Sequence, residues 1–385
     1  MRIVVVGAGA AGLLAALLLK RRFPAWRVEV FEQNPQGATY GFGVVFSDGA
    51  LAFLERDEPE LSRRLQAAMQ RWPMQRIVHG GEAVDVDGNG FSAIGRLPLL
   101  GILQELCRAA GVSIAHGRAV ASLEDFSGAE LVIGADGSNS LVRRTLAAQF
   151  LPRIEFLTNR FAWYGTAQPF DCLTLTFRQG EHGAFVAHHY RHAPSMSTFV
   201  VECGAATWAR AGLDASSDSE SRTYCERVFA ADLGGQALVS NKSLWRQFPL
   251  LCNERWVARR APSGFAVLVG DALRTVHFSI GSGTRLAFED AIALDRGFAE
   301  YGEDVAGALD AFERLRRPVV DKLLDAANAS SFWYEKFPEK MALQPWELAY
   351  DYMTRSGRMP DARLKEIAPR FMARVEAGRR TGTRA

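Results

Sequence analysis

A glycine pattern near the start of the chain constrains the fold more than any other stretch. The β-branched run Ile3–Val6 ends in Gly7-Ala8-Gly9-Ala10-Ala11-Gly12, and a Leu- and Ala-rich helical pattern and a second strand pattern ending at Glu32 follow. Gly7 permits a tight turn, Gly9 lets a pyrophosphate approach the backbone, and Gly12 lets helix and strand pack closely. The helix N-terminus attracts phosphate, and Glu32 can accept hydrogen bonds from ribose hydroxyls. The pattern predicts a dinucleotide-binding βαβ unit for NAD, NADP or FAD, contacted by Gly7, Gly9, Ala11, Gly12 and Glu32.

Composition excludes several classes of protein. The chain has 385 residues, 48% of them hydrophobic, and a formal net charge of +2, which is no electrostatic footprint for nucleic acid. Its five cysteines are scattered and form no C-x-x-C, which predicts reduced thiols, a cytoplasmic location and no metal site. Residues 3–19 are apolar, but their glycine spacing and short basic lead argue against a signal peptide or membrane span.

Periodicity divides the rest of the chain into helical and strand regions. Helical patterns cover residues 49–71, 96–111, 205–238, 286–298, 305–328 and much of 331–375, and residues 33–48 are predicted to be a loop. Residues 151–203 alternate with period two and are rich in aromatic residues, which predicts antiparallel strands at 161–166, 173–178, 184–188 and 198–202. Short strands are also predicted at 76–93 as a hairpin, and at 112–115, 119–123, 131–133 and 265–269.

Two further motifs follow the first glycine cluster. Residues 134–143 read GADGSNSLVR, and residues 267–272 read VLVGDA. The three motifs in this order resemble the single-component FAD-dependent aromatic hydroxylases of the p-hydroxybenzoate hydroxylase-like class. Two positions depart from the family pattern, since Arg274 stands at its usual His and Phe278 at its usual Pro.

Four shorter stretches resemble one branch of that class. They are GFGVVFSD at 41–48, WYGT at 163–166, STFVVEC at 197–203 and HFSIGSGT at 277–284. The branch includes the salicylyl-CoA 5-hydroxylases, the 2-aminobenzoyl-CoA monooxygenases and the violacein-pathway hydroxylase that acts on an indole ring.

The resemblance implies an α/β fold with three parts. A Rossmann-like FAD-binding domain would comprise residues 1–75, 96–150 and 255–330. An inserted, mainly antiparallel β-sheet domain for the substrate would comprise 76–95 and 151–254, and residues 331–385 would form a C-terminal helical segment. We expect a monomer or homodimer without a membrane partner.

The resemblance also implies the cofactors and the residues that hold them. FAD would stay bound, NAD(P)H would visit transiently, and O2 would be captured as a flavin C4a-hydroperoxide that hydroxylates an electron-rich ring. Asp271 would bind a ribityl hydroxyl, the N–H groups near Gly281 and Gly283 would face the flavin pyrimidine edge, and Arg96 would lie near the pyrophosphate. Asp136 would support a site shared by flavin and nicotinamide, or would simply cap the following helix.

The predicted substrate residues lie on the aromatic sheet and beside the GD motif. His277 is predicted to polarise the hydroxyl, amino or indole group of the substrate, with backbone bonding as the alternative. His188, Trp163 and Tyr164 are predicted to bind the ring, and because His188 and His189 are adjacent on a strand, only one of them should face the pocket.

Other functions of the same fold stay open at this stage. A flavin halogenase is disfavoured because W-x-W-x-I-P is missing, and a flavin reductase or a non-catalytic flavin-binding module are further alternatives. The substrate is either an aromatic acyl-CoA or a free indole-type compound. The stretches at 181–183 and 356–358 resemble the acyl-CoA enzymes, and Tyr164 with the GD region resembles the indole hydroxylase.

Overall fold

The computed structural model describes residues 1–38 and 41–382, with an α/β fold built on two large sheets. The strands are β1 (Arg2–Val6), β2 (Arg27–Phe31), β3 (Gly43–Ser47), β4 (Gln70–His79), β5 (Glu82–Gly95), β6 (Ser113–Ala115), β7 (Leu131–Gly134), β8 (Pro152–Phe156), β9 (Arg160–Thr166), β10 (Leu173–Gly180), β11 (Gly183–Ala193), β12 (Met196–Cys203), β13 (Leu238–Ser240), β14 (Pro249–Asn253), β15 (Val257–Arg259) and β16 (Phe265–Leu268).

The α-helices are α1 (Ala10–Arg22), α2 (Ala52–Asp57), α3 (Pro59–Ala68), α4 (Arg96–Ala110), α5 (Leu141–Thr145), α6 (Ala147–Phe150), α7 (Ala205–Arg210), α8 (Asp218–Val228), α9 (Ala230–Leu233), α10 (Gly283–Tyr301), α11 (Val305–Glu335), α12 (Pro345–Thr354), α13 (Asp361–Ile367) and α14 (Pro369–Gly382). Short 3₁₀ helices cover Leu123–Phe126, Gly270–Ala272, Phe278–Ile280 and Phe337–Ala342. Among the residues that the structure describes, no helix is long and apolar enough to cross a membrane.

The six-stranded sheet carries the glycine fingerprint. Its order is β15-β16-β7-β1-β2-β6, with all neighbours parallel except the β15–β16 pair. The central strands β1 and β7 are Val- and Ile-rich and almost fully buried, as expected for a parallel sheet covered on both faces. Helices α1, α4 and α10 share its hydrophobic core.

The eight-stranded sheet has the order β13-β9-β12-β11-β10-β4-β5-β3, and only the β10–β4 pair is parallel. Residues of β11 show how its two faces differ, since Val186 packs with the C-terminal helices and Phe185 packs with α8 and α9. Each face therefore has its own hydrophobic core.

Residues between 333 and 375 cover one face of the eight-stranded sheet. Trp333 and Tyr334 at the end of α11, together with apolar residues of α12, α13 and α14, pack on Ile77, Val84 and Leu175. The C-terminal segment is helical, as predicted, and its apolar residues complete this core.

The structure confirms the predicted fold class and corrects four local predictions. β3 lies in the predicted loop 33–48, because it pairs with β5 at the sheet edge. The predicted helix 49–71 ends at Ala68, since residues from Gln70 onward join β4, where a bulge accommodates Pro73.

Residues 119–123 form no strand, and the Ser122 side chain caps a 3₁₀ helix there. The region 205–238 contains three separate helices and the first residue of β13, rather than one long helix. The domain boundaries remain predictions, and β3 and the first residues of β4 belong to the second sheet although they lie within 1–75.

Candidate active site

The three fingerprint glycines occupy different surroundings. A side chain at Gly12 would place its Cβ 2.2 Å from the Gly7 carbonyl oxygen, and one at Gly7, where φ is +104°, would meet the Ala135 carbonyl oxygen at 2.4 Å. At Gly9 no atom lies within 4 Å of that position. The lack of a side chain at Gly7 and Gly12 therefore allows the turn and α1 to pack closely. At Gly9 it leaves open space at the N-terminus of α1.

That space is part of a cavity of about 300 Å³ at the carboxyl end of β1. Gly9, Glu32, Arg96 and His116 line it, together with apolar residues of α4. The Glu32 carboxylate accepts hydrogen bonds from the Ala8 N–H and from the Asn34 backbone N–H, each at 2.8 Å. The cavity brings together four residues that are far apart in sequence, three of them predicted.

His116 is a residue that sequence reasoning does not single out. Both of its ring nitrogens are buried without a hydrogen-bond partner among the described residues. Burial lowers the pKa of His116, so its imidazole is neutral and can donate or accept a hydrogen bond. Unpartnered ring nitrogens, an acidic side chain and open backbone at a helix N-terminus fit the adenosine diphosphate half of FAD.

The second motif, residues 134–143, is held in place by buried hydrogen bonds. Asp136 accepts hydrogen bonds from the backbone N–H groups of Leu141, at 2.6 Å, and Val142, at 3.3 Å, so it caps α5 as the alternative reading predicts. Its other carboxylate oxygen is buried without a partner. The buried Arg143 guanidinium donates to the Ala272 carbonyl oxygen at 2.9 Å, which ties this motif to the GD motif.

The GD motif is held by a buried ionic network that the sequence does not reveal. Asp290 on α10 is 0% exposed and accepts hydrogen bonds from the Gly270 N–H at 3.0 Å, the Arg274 guanidinium at 2.8 and 2.9 Å, and Arg316 at 2.9 Å. Arg274, which departs from the family pattern, is therefore structural. Asp271 next to this network is exposed, and Ala11 of the fingerprint packs beside Gly270.

The segment after the GD motif turns toward the second sheet. Gly281, with φ +58°, lies against Val45 of β3, and Gly283 begins α10 with open space around it. His277 accepts a hydrogen bond on Nδ1 from the Ser279 N–H at 3.4 Å. Its ring contacts those of Phe248, Phe278 and Tyr334, with centroid distances of 4.8, 4.2 and 5.8 Å.

One face of the second sheet presents aromatic and titratable side chains to this segment. Phe161 and Trp163 of β9 are half-buried and approach the Phe278 ring at 5.1 and 6.5 Å between centroids. His188 of β11 meets the same ring edge-on at 5.2 Å and the Tyr334 ring at 5.0 Å. The predicted residues Trp163, His188 and His277 are thus brought together around Phe278.

Tyr164 does not join this group, which corrects its prediction as a substrate residue. Neighbouring strand residues point to opposite faces, and Tyr164 is fully buried in the core beneath α8 and α9. His189 also lies on that other face, where its Nε2 is 2.9 Å from the Thr176 hydroxyl. His188 is therefore the member of the histidine pair that faces the aromatic group.

Sequence reasoning misses Glu202 and Tyr334. Glu202 is 1% exposed, and its Oε2 lies 3.6 Å from His188 Nε2. Tyr334 comes from the C-terminal part of α11, more than 140 residues along the chain from His188, so no local pattern connects them.

Burial of several histidines predicts instability in mild acid. Burial lowers the pKa of His189 to about 3, and the pKa of His192 and that of His277 to about 4. The unfolded chain binds protons at about pH 6.5, so between these values it holds more protons than the folded chain and stability falls as pH falls. From pH 7 to pH 5 we expect each histidine to remove about 2 kcal/mol from the free energy of unfolding.

Urea unfolding at the two pH values measures this loss, and His189→Gln should show a smaller loss than the unchanged protein. An unfolding midpoint that is the same at pH 7 and pH 5 would contradict the prediction.

Replacement of Glu32 by alanine is expected to weaken retention of FAD without unfolding the chain, because the side chain lines the cavity. Loss of one or two hydrogen bonds from a carboxylate corresponds to roughly 1.5–3 kcal/mol, or about 10- to 100-fold in affinity. The ratio of flavin to protein after gel filtration measures this, with Glu130→Ala as the control, because Glu130 accepts from the Arg2 N–H at the amino end of β1. Full flavin content in the Glu32 variant would count against the cavity as the FAD site.

A Rossmann-like unit with a cavity at its glycine fingerprint, joined to a sheet that presents aromatic rings and histidines, is the architecture of a nucleotide-binding protein. Residues 115–327 match the family model described as FAD binding domain, and residues 5–67 match the NAD(P)-binding Rossmann-like domain. The first match covers more than half of the chain, and the chain belongs to this FAD-binding family.

Curated relatives and a solved structure agree with that assignment. The chain is 39% identical to a salicyloyl-CoA 5-hydroxylase of a Streptomyces species, over 98% of this chain and 73% of the relative. It is 34% identical to protodeoxyviolaceinate monooxygenase of Chromobacterium violaceum, over 96% of each protein. A crystal structure of 2-methyl-3-hydroxypyridine-5-carboxylic acid oxygenase shares the fold, with a TM-score of 0.68 at 19% identity over 95% of this chain and 96% of that chain. The predicted FAD-dependent aromatic hydroxylase, using NAD(P)H and O2, is confirmed at the level of the family.

Proposed function

We propose that the protein hydroxylates an aromatic ring that bears a hydroxyl or amino group and is presented as an acyl thioester. The observation that carries the proposal is the aromatic cluster around Phe278, whose ring contacts Phe161 and Trp163 on the sheet and also the rings of His188 and His277. Flat apolar walls with a few polar groups suit a substituted ring. The thioester is favoured by the 39% identity to a salicyloyl-CoA 5-hydroxylase.

The chain's own residues would bind, orient and shield the ring. The aromatic side chains exclude water, and His277, kept neutral by burial, has its Nδ1 engaged by the Ser279 N–H. Its Nε2 therefore carries the proton and can donate a hydrogen bond to the ring substituent. A neutral donor at this position orients the substrate without adding charge.

The predicted cofactor contacts fit the same arrangement. Gly9, Glu32, Arg96 and His116 would hold the adenosine diphosphate part of FAD, and Asp271 with the backbone at Gly281 and Gly283 would hold its ribityl and ring parts. FAD, when bound, supplies the redox chemistry between NAD(P)H, O2 and substrate. Cytoplasmic location and a monomeric or homodimeric state remain predictions.

A free indole-type compound is the second candidate substrate. The violacein-pathway relative aligns over 96% of both chains, whereas the thioester relative is the longer protein. An indole N–H could use the same hydrogen-bonding groups. Lack of turnover of every CoA thioester together with turnover of indolic acids would favour this candidate.

The deciding experiment measures NAD(P)H consumption with salicyloyl-CoA, 2-aminobenzoyl-CoA and indolic acids under ¹⁸O2. We expect one ¹⁸O atom in the product of a thioester, detected by mass. NAD(P)H consumption that yields only hydrogen peroxide with all of these compounds would contradict the proposal.

A further inference from the structure

Glu202 and His188 form a buried pair across two neighbouring strands. In the β11–β12 register Val186 lies opposite Glu202 and His188 lies opposite Val200, so the two side chains are diagonal neighbours on one sheet face. The Glu202 Oε2 to His188 Nε2 distance is 3.6 Å, slightly longer than a hydrogen bond, and neither atom has a hydrogen-bond partner among the described residues.

The other oxygen of Glu202 is firmly held. Its Oε1 accepts a hydrogen bond from Asn159 Nδ2 at 2.8 Å, and the same amide group donates to the Tyr334 carbonyl oxygen at 2.9 Å. Asn159 itself is 4% exposed. This contact fixes the plane of the carboxylate and directs its second oxygen at the imidazole.

A carboxylate at this depth is costly unless it has a task or a strong partner. Burial by itself would raise the pKa of Glu202, but the pKa is lowered overall, chiefly through its contact with His188. No Lys or Arg side chain forms an ion pair with it in the described residues, which leaves imidazole as its partner. Such a pair resembles the carboxylate–imidazole arrangement that orients a base for proton transfer.

We propose that Glu202 is a positioning residue for His188. The Glu202 carboxylate faces Nε2 of the His188 imidazole and favours the proton on that nitrogen, which leaves Nδ1 free to accept the proton of the substrate's ring hydroxyl or amino group. The O–H or N–H bond of the substrate breaks, its electron pair stays on the ring substituent, and the proton forms an N–H bond at Nδ1. Glu202 keeps its charge and offsets that of the imidazolium. The inference rests on the proposed function, because it requires such a substituent.

Other titratable side chains surround the Glu202–His188 pair. His277 approaches from the segment after the GD motif, Tyr334 from α11, and Tyr352 and Arg355 from the end of α12. The Arg355 guanidinium lies 3.7 Å from the Tyr352 ring centroid and donates to Ser330 and to the Ser279 carbonyl oxygen. Arg355 is therefore engaged elsewhere, and Glu202 is the charge that faces His188.

The first test needs no substrate. Long-range ¹⁵N NMR of the FAD-loaded protein, with the His188 signals assigned by His188→Gln, reports which ring nitrogen carries the proton. We expect Nε2–H in the unchanged protein and in Glu335→Gln. Glu335 accepts from the Asn159 backbone N–H at 2.9 Å but does not contact His188, which makes this variant a matched control. A proton on Nδ1 of His188 in the unchanged protein would overturn the inference.

The second test compares kcat/KM for salicyloyl-CoA across pH 5–9 in the unchanged protein, Glu202→Gln and Glu335→Gln. We expect Glu202→Gln to lower kcat/KM by roughly 100-fold through kcat, and to move the rise of kcat/KM with pH toward lower pH. Glu335→Gln should match the unchanged protein. A loss in KM alone, with an unaltered pH profile, would assign Glu202 a purely structural role. Absence of turnover in the unchanged protein would instead contradict the proposed function and leave the NMR result to decide the inference.

Discussion

Replacement of Asp290 by alanine is expected to lower the free energy of unfolding by about 3–5 kcal/mol. The carboxylate is fully buried and accepts from the Gly270 N–H, Arg274 and Arg316, so its loss leaves the buried Arg274 without its ion-pair partner and Arg316 with Glu289 alone. Because Gly270 begins the GD motif, we also expect flavin to be lost. Urea unfolding and the flavin-to-protein ratio measure both effects.

Asp295→Ala on the same helix is the control. Asp295 pairs with Arg22 at 2.6 Å, but that arginine side chain is 36% exposed and water can take the place of its partner. The Asp295 carboxylate is 12% exposed, but Arg22 can be solvated by water once its partner is lost, so we expect a smaller loss than for Asp290, of about 1 kcal/mol. Equal losses for the two variants would show that burial of the Asp290 network adds nothing to stability.

Two alanine substitutions in the glycine fingerprint are expected to have different effects, one on folding and the other on cofactor binding. Gly12→Ala would drive a methyl group to within 2.2 Å of the Gly7 carbonyl oxygen, and we expect it to destabilise the fold by about 1–3 kcal/mol or more. Gly9→Ala meets no protein atom within 4 Å and should keep the stability of the unchanged protein.

Gly9→Ala should nevertheless bind FAD roughly 10- to 100-fold more weakly, because its methyl group would enter the space of the pyrophosphate. Thermal unfolding of the flavin-free proteins and titration with FAD distinguish the two variants. Tight FAD binding by Gly9→Ala would place the pyrophosphate elsewhere.

Short stretches of sequence predict those parts of the site in which the functional residues lie close together along the chain. The fingerprint, the Glu32 position and the end of β7 at the second motif each follow from a short stretch of chain. The alternation of β11 also predicts correctly that His188 and His189 face opposite ways. The same rule predicts that only one of Trp163 and Tyr164 faces the aromatic group, and the structure shows that this residue is Trp163.

The remaining features depend on contacts between distant residues. In the sequence, Asp290 looks like an ordinary helix residue. Its role follows only from the fold, which places Arg274 and Arg316 beside it. β3 becomes a strand only because β5 offers it an edge. Glu202 lies in a motif noted for its resemblance, yet its pairing with His188 depends on strand register, which the sequence alone does not specify.

The position of the C-terminal helices has a consequence for synthesis of the chain on the ribosome. Strands β4, β10 and β11 emerge long before Trp333, Leu348 and Phe371, which cover their apolar face. Until residues 333–375 have emerged from the ribosome, that face is exposed and able to associate with other nascent chains. Truncation just after α11 is therefore expected to yield aggregated protein, even though the glycine fingerprint and the cavity beside it would be intact.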